Sequence, residues 1–132
     1  MNSEIKFRGR NVNNNKWVYG YFGYDWDRET NLKPCIQSSL TEMSSSFSRT
    51  IVTLESVGQY TGVKDKNGTE IYKGDIISFG RGINYRVAYE DACFYLYHEN
   101  GTKDIDGKPY RWGPLYRVNE LKFEAEIVGN IF

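Results

Sequence analysis

Asp65, Glu70 and Asp75 are the carboxylates whose spacing could do chemistry. Asp65 and Glu70, with Asn67, offer an oxygen-rich calcium loop, and the three acids together offer a convergent carboxylate site. The acidic density is below that of a full EF-hand loop. Acids beside Asn-Gly and Lys-Gly are also the residues that turns use to bind their own backbone N–H groups, and this is the simpler reading. His98 is the sole histidine. A metal needs several ligands and a general base needs a positioned partner, so His98 reads as a solvent-edge residue at a strand end. Cys93 falls on the opposite face of the same extended strand, which is the wrong geometry for a thiolate–imidazole pair. Cys35 and Cys93 are too few and too far apart for a disulfide framework or a zinc site, and read as reduced thiols. The chain contains no nucleophile elbow, phosphate-binding loop or Cys/His cluster. The expectation is therefore no catalytic residues, no metal and no cofactor.

Rings interleaved with cations are the second kind of chemistry. Trp17, Tyr19, Tyr21, Phe22, Tyr24 and Trp26 lie next to Arg8, Arg10, Lys16 and Arg28. Such faces stack bases and hold phosphates, yet one side of the same strand must also be core. Arg81 and Arg86 form a smaller basic spot beside a turn, and Tyr110, Arg111 and Trp112 form an aromatic loop. The candidate binding residues are Trp17, Tyr19, Arg8, Arg10, Arg81, Arg86, Tyr110, Arg111 and Trp112. Lys+Arg and Asp+Glu both number 17, giving a formal charge of zero. A protein that neutralises many phosphates usually carries a basic excess, so the balance favours a protein partner or a homo-oligomer over nucleic acid.

The elements that must position these residues read as strands. Hydrophobic residues make up 39% of the chain and aromatics 16%, so rings supply burial that the aliphatics do not. Residues 5–10 alternate as a strand, residues 11–15 (Asn-Val-Asn-Asn-Asn) turn, and residues 16–24 return as an aromatic strand interrupted by Gly20 and Gly23. Residues 25–32 read as a polar loop and 33–37 as a short edge strand entered by Pro34. Residues 38–48 are serine-rich and read as a loop, with Leu40, Met43 and Phe47 spaced for a short helix as the lesser alternative. Residues 50–54 are β-branched and extended.

Residues 57–79 organise the rest. Residues 57–63 have strand character, Asp65-Lys66-Asn67-Gly68 reverses the chain, Ile71-Tyr72 returns, and Lys73-Gly74-Asp75 reverses it again into a strand at 76–79. Residues 84–90 and 93–98 form a further hairpin, the second strand apolar on both faces. Residues 99–108 read as a polar loop, 109–114 as irregular, 115–122 as a helical turn or short strand, and 123–131 as the last strand.

The segments QYTG (59–62), KDKNG (64–68), EIYKGDII (70–77) and EIVGNI (126–131), with IKFRGR (5–10), resemble the YopX family of phage and prophage proteins. The resemblance implies that fold and a phage origin; the family has no established activity to carry over. The fold expected is mainly β: a small antiparallel barrel or sandwich with an SH3-like C-terminal part and an N-terminal β-hairpin packed on it. It is expected as one domain over 1–132, with the hairpin and serine-rich loop in 1–56 and a barrel-like core in 57–132. No long apolar run or leader pattern is present, so a soluble protein of the bacterial cytoplasm, off the membrane, is expected. The function expected is that of a non-enzymatic accessory protein binding a macromolecule, protein or its own copies, through its β surface. The alternatives are a single-stranded nucleic-acid-binding module and an enzyme with a carboxylate site at Asp65, Glu70 and Asp75.

Overall fold

The computed structural model describes residues 5–26, 32–39, 47–80, 82–90, 92–98, 111–114 and 124–132. The expectations for 40–46, 99–108 and 115–122 lie outside them. The described residues are mainly β, with eleven strands and no α-helix: β1 (Phe7–Arg10), β2 (Trp17–Trp26), β3 (Leu32–Ser39), β4 (Phe47–Ile51), β5 (Gly58–Lys64), β6 (Glu70–Tyr72), β7 (Asp75–Ser78), β8 (Asn84–Glu90), β9 (Cys93–His98), β10 (Arg111–Pro114) and β11 (Glu126–Asn130). One 3₁₀ turn, Leu54–Ser56, precedes β5. The chain divides into two compact units, Met1–Tyr60 and Thr61–Phe132.

In the first unit the strand order runs β4-β3-β2-β1 and on to the start of β5, every pair antiparallel. The asparagine turn works as its side chains demand. Asn11 Oδ1 accepts the Asn13 N–H at 2.9 Å, Asn14 Oδ1 accepts the Lys16 N–H at 2.9 Å, and Asn15 sits at φ 59°. β2 is longer than its composition suggests: Asp25 and Trp26 continue it, and β3 already begins at Leu32, so the expected loop at 25–32 is shorter at both ends. Ser38 and Ser39 likewise belong to β3, and Phe47 and Ser48 to β4.

Pro34 is not on an edge. β3 lies between β2 and β4, and Pro34 stands opposite Tyr24. The Pro34 carbonyl accepts the Val52 N–H at 3.0 Å, so its backbone groups point to the β4 side and its missing N–H costs no bond to β2. Ile36 and Val52 are buried here.

In the second unit β5 and β6 form a hairpin, and the remaining strands make an antiparallel sheet of order β10-β9-β8-β7-β11. The order is open, with β10 and β11 at its two ends, so the architecture is two antiparallel sheets rather than a closed barrel. Ile77, Tyr85, Val87 and Leu96 pack with Val63, Ile71 and Ala125 into one apolar core. The pairings Ile77 with Tyr85 and Val87 with Leu96 put these side chains on one face, as alternation requires. Each such buried side chain contributes about 1.5–3 kcal/mol. β10 occupies part of the segment expected to be irregular, with a bulge between Arg111 and Gly113.

The turn at 73–74 closes this unit. Asp75 Oδ2 accepts the Tyr72 N–H at 2.8 Å, and Gly74 donates to the Val87 carbonyl at 2.8 Å. Gly74 stands at φ 94°, and a Cβ there would meet the Phe132 ring at 2.7 Å, so both backbone and space call for glycine.

Candidate functional site

The asparagine turn sets Arg10 opposite Trp17 and Arg8 opposite Tyr19. Two arginines alternating on β1 therefore share one face with the indole. Arg8 Cζ lies 4.1 Å and Arg10 Cζ 4.5 Å from the Trp17 ring centroid. Arg8 is 5% exposed. Arg10 Nη1 donates to the Asn15 carbonyl at 2.8 Å, and the Arg10 N–H donates to Ser56 Oγ at 2.8 Å. The structure thus brings together Arg8, Arg10, Trp17 and Tyr19 as expected, but as a clasp that fixes the hairpin. These guanidinium faces are already stacked.

Further along β2 the rings turn outward. Tyr19, Tyr21 and Tyr24 are 47%, 65% and 52% exposed. Between the first two lies Gly20, where a Cβ would fall 2.2 Å from the Gln37 carbonyl oxygen. That close approach leaves a groove of about 250 Å³ whose walls include Tyr19, Tyr21, Lys6 and Gln37. Phe22 is the exception in this segment: it packs against Phe7, with centroids 5.9 Å apart, and against Tyr24 at 5.4 Å. Arg49 Nη1 bridges to Asp25 Oδ1 at 3.1 Å. Cys35, buried beneath, has its thiol pKa raised, first by burial and then by the Asp25 charge, with Arg49 opposing.

The second unit carries a different arrangement. Arg86 and Arg111 both pair with Tyr97, one from each side of β9, so two arginines that sequence places in separate patches lie in one cross-strand row. Arg86 Cζ is 5.0 Å from the Tyr97 ring, and Arg111 Cζ is 4.1 Å from the Tyr95 ring. Tyr97 OH donates to Glu90 Oε2. Burial and this bond to Glu90 raise the Tyr97 pKa, the two arginines opposing. Nothing in the sequence marks out Tyr95 and Tyr97: Tyr97 meets Arg86, and Tyr95 meets Ala88, only through the strand register. Arg81 and Tyr110 lie outside the described residues, and Trp112 is placed in β10 by its backbone.

Asp65 and Asp75 are held by backbone. Asp65 Oδ1 accepts the N–H groups of Asn67 and Thr69, both at 2.9 Å, and Oδ2 accepts that of Ile127 at 3.1 Å. It is the pin between the 65–69 turn and β11. Asp75 caps the next turn, and Glu70 accepts from Tyr72 OH at 3.2 Å. His98 stacks edge-on against Tyr85, 5.0 Å away. Among the described residues no three His, Cys, Asp or Glu side chains gather as a metal would require.

The YopX protein family matches residues 6–132. The chain belongs to the YopX family. No curated protein matches it. Among solved structures it is similar to protein EF1440 from Enterococcus faecalis, 18% identical, over 91% of this chain and 99% of that one, with a TM-score of 0.45. Among the described residues, no helix of this YopX protein is long and apolar enough to cross a membrane.

Proposed function

We propose that this YopX protein is a non-enzymatic phage or prophage accessory protein of the bacterial cytoplasm that binds a protein partner through the outward rings of β2. The observation that carries the reading is the exposure of Tyr19, Tyr21 and Tyr24 on one strand. Tyrosine on a rigid strand offers large contact area with little side-chain entropy to lose, which is why such rings anchor protein interfaces. The neighbouring cations favour protein over nucleic acid. Arg8 is buried and Arg10 stacked, so the cationic half of a phosphate-tracking groove is engaged with Trp17. The balanced formal charge supports the same choice.

The test is capture from infected or lysogenic host lysate on the immobilised chain, with and without nuclease. A protein retained after nuclease, and lost with Tyr21→Ser, is the expected result. Retention that vanishes with nuclease, and that falls steeply with salt, overturns the reading in favour of single-stranded nucleic acid.

A further inference from the structure

Asn67-Gly68 is one of two Asn-Gly pairs in the chain; the other is Asn100-Gly101. Asparagine is a chemically labile residue, and it is most labile before glycine, which has no Cβ to obstruct its own nitrogen. The reaction is a ring closure. The Gly68 nitrogen gives its proton to base and attacks the Asn67 side-chain carbonyl carbon. That C–N bond forms, the bond to the side-chain nitrogen breaks, and ammonia leaves with a proton taken from water. Water then opens the cyclic imide at either carbonyl. One product is aspartate. The other is isoaspartate, in which the main chain runs through the side chain and is longer by one methylene.

Asn67 and Gly68 are both exposed, so water reaches them. The restraint lies in the main chain. The Gly68 N–H donates to the Asp65 carbonyl at 3.0 Å, and the Asp65 N–H donates to the Thr69 carbonyl at 2.8 Å. The Asn67 and Thr69 N–H groups, on either side of Gly68, both donate to Asp65 Oδ1 at 2.9 Å. Every one of these bonds ends on Asp65, and together they fix the chain with Gly68 at φ 81°. Ring closure needs the Gly68 nitrogen released and the peptide between 67 and 68 rotated toward the side chain. Both changes break the bond to Asp65, so the reaction waits for the turn to open.

We propose that Asn67 is a site of deamidation gated by Asp65: the amide is lost only from the opened turn, and the isoaspartyl product cannot close it again. The added methylene moves the Gly68 N–H away from the Asp65 carbonyl. Asp65 Oδ2 also accepts the Ile127 N–H at 3.1 Å, so a turn left open loosens the hold on β11 as well.

Peptide mapping by mass spectrometry, on the full chain aged in mildly alkaline buffer, tests it. The readout is a gain of about one dalton in the peptide that carries Asn67, with aspartyl and isoaspartyl forms separated. Asn100, read in the same digest, controls for buffer and temperature. Loss at Asn67 should be about tenfold or more slower in the folded chain than in the same chain held in urea. Asp65→Ala should bring the folded rate to within a few-fold of the urea rate. Asp65→Asn, which keeps an oxygen to accept from Asn67 and Thr69, should stay near the parent. Val87→Ala weakens the core of the same unit without touching the turn, and should also stay near the parent. Equal rates in the folded parent and in urea overturn the proposal, as does a folded Asp65→Ala chain that deamidates no faster. Acceleration by Val87→Ala equal to that by Asp65→Ala overturns the gating role, since global unfolding would then set the rate. Should Asp65→Ala fail to fold, the parent's folded-to-urea ratio and the Asp65→Asn and Val87→Ala rates decide.

Discussion

The two units use the same residue types in opposite directions. Among the described residues of the second, tyrosines and aspartates mostly turn inward: Tyr72 and Tyr85 are buried, Asp65 holds three backbone amides, and Asp75 caps a turn. In the first, Arg8 is buried against Trp17 and the tyrosines of β2 stand out in solvent. A charged or aromatic residue does not declare its own side. What decides is whether a backbone donor or a ring waits for it across the sheet. A carboxylate among unpaired N–H groups is fixed there by charge-assisted bonds, and a guanidinium meeting an indole face is fixed likewise.

The sharpest way to break this contrast is to truncate one group of each kind. Asp65→Ala leaves three backbone N–H groups without their acceptor and should lower unfolding free energy by roughly 3 kcal/mol. Tyr21→Ser, on the outward face, should shift it by no more than about 0.5 kcal/mol. Urea denaturation of both variants checks the pair. Similar losses in the two would mean that the β2 tyrosines are structural.

A smaller effect sharpens the account of the 73–74 turn. Gly74→Ala forces a side chain into a left-handed backbone and into the Phe132 ring, and should cost about 1–2 kcal/mol from the backbone alone. Phe132→Ala in that background should recover only the steric part. Full recovery would show that the backbone conformation carries no penalty.

The smallest effect concerns pH. Burial and the bond to Glu90 hold the Tyr97 proton above the ordinary tyrosine value of 10.0. Its contribution to stability is therefore complete below pH 10 and is lost as pH climbs through the raised folded value. Comparing Tyr97→Phe with the parent chain from pH 9 upward should show a shallower alkaline decline in the variant. Identical declines would place the loss elsewhere.

The sequence by itself determined several strands and their turns, though not the ends of β2, β3 and β4 or the strand β10. The alternation in 84–90, the Asn-Gly and Lys-Gly reversals and the asparagine turn are local: each follows from the φ a residue tolerates or the side a residue faces, and each is found in place. It also assigned Asp65 to its turn and Asp75 to a nearby backbone N–H, as Asx side chains in turns do, whereas the bond from Ile127 to Asp65 came with the tertiary structure. Only the tertiary structure decided which strands outside the two predicted hairpins became neighbours, and in what register, since that is a long-range choice that no six-residue window contains. That choice put Arg86 and Arg111 on either side of Tyr97, enclosed Pro34 and buried Arg8 against Trp17.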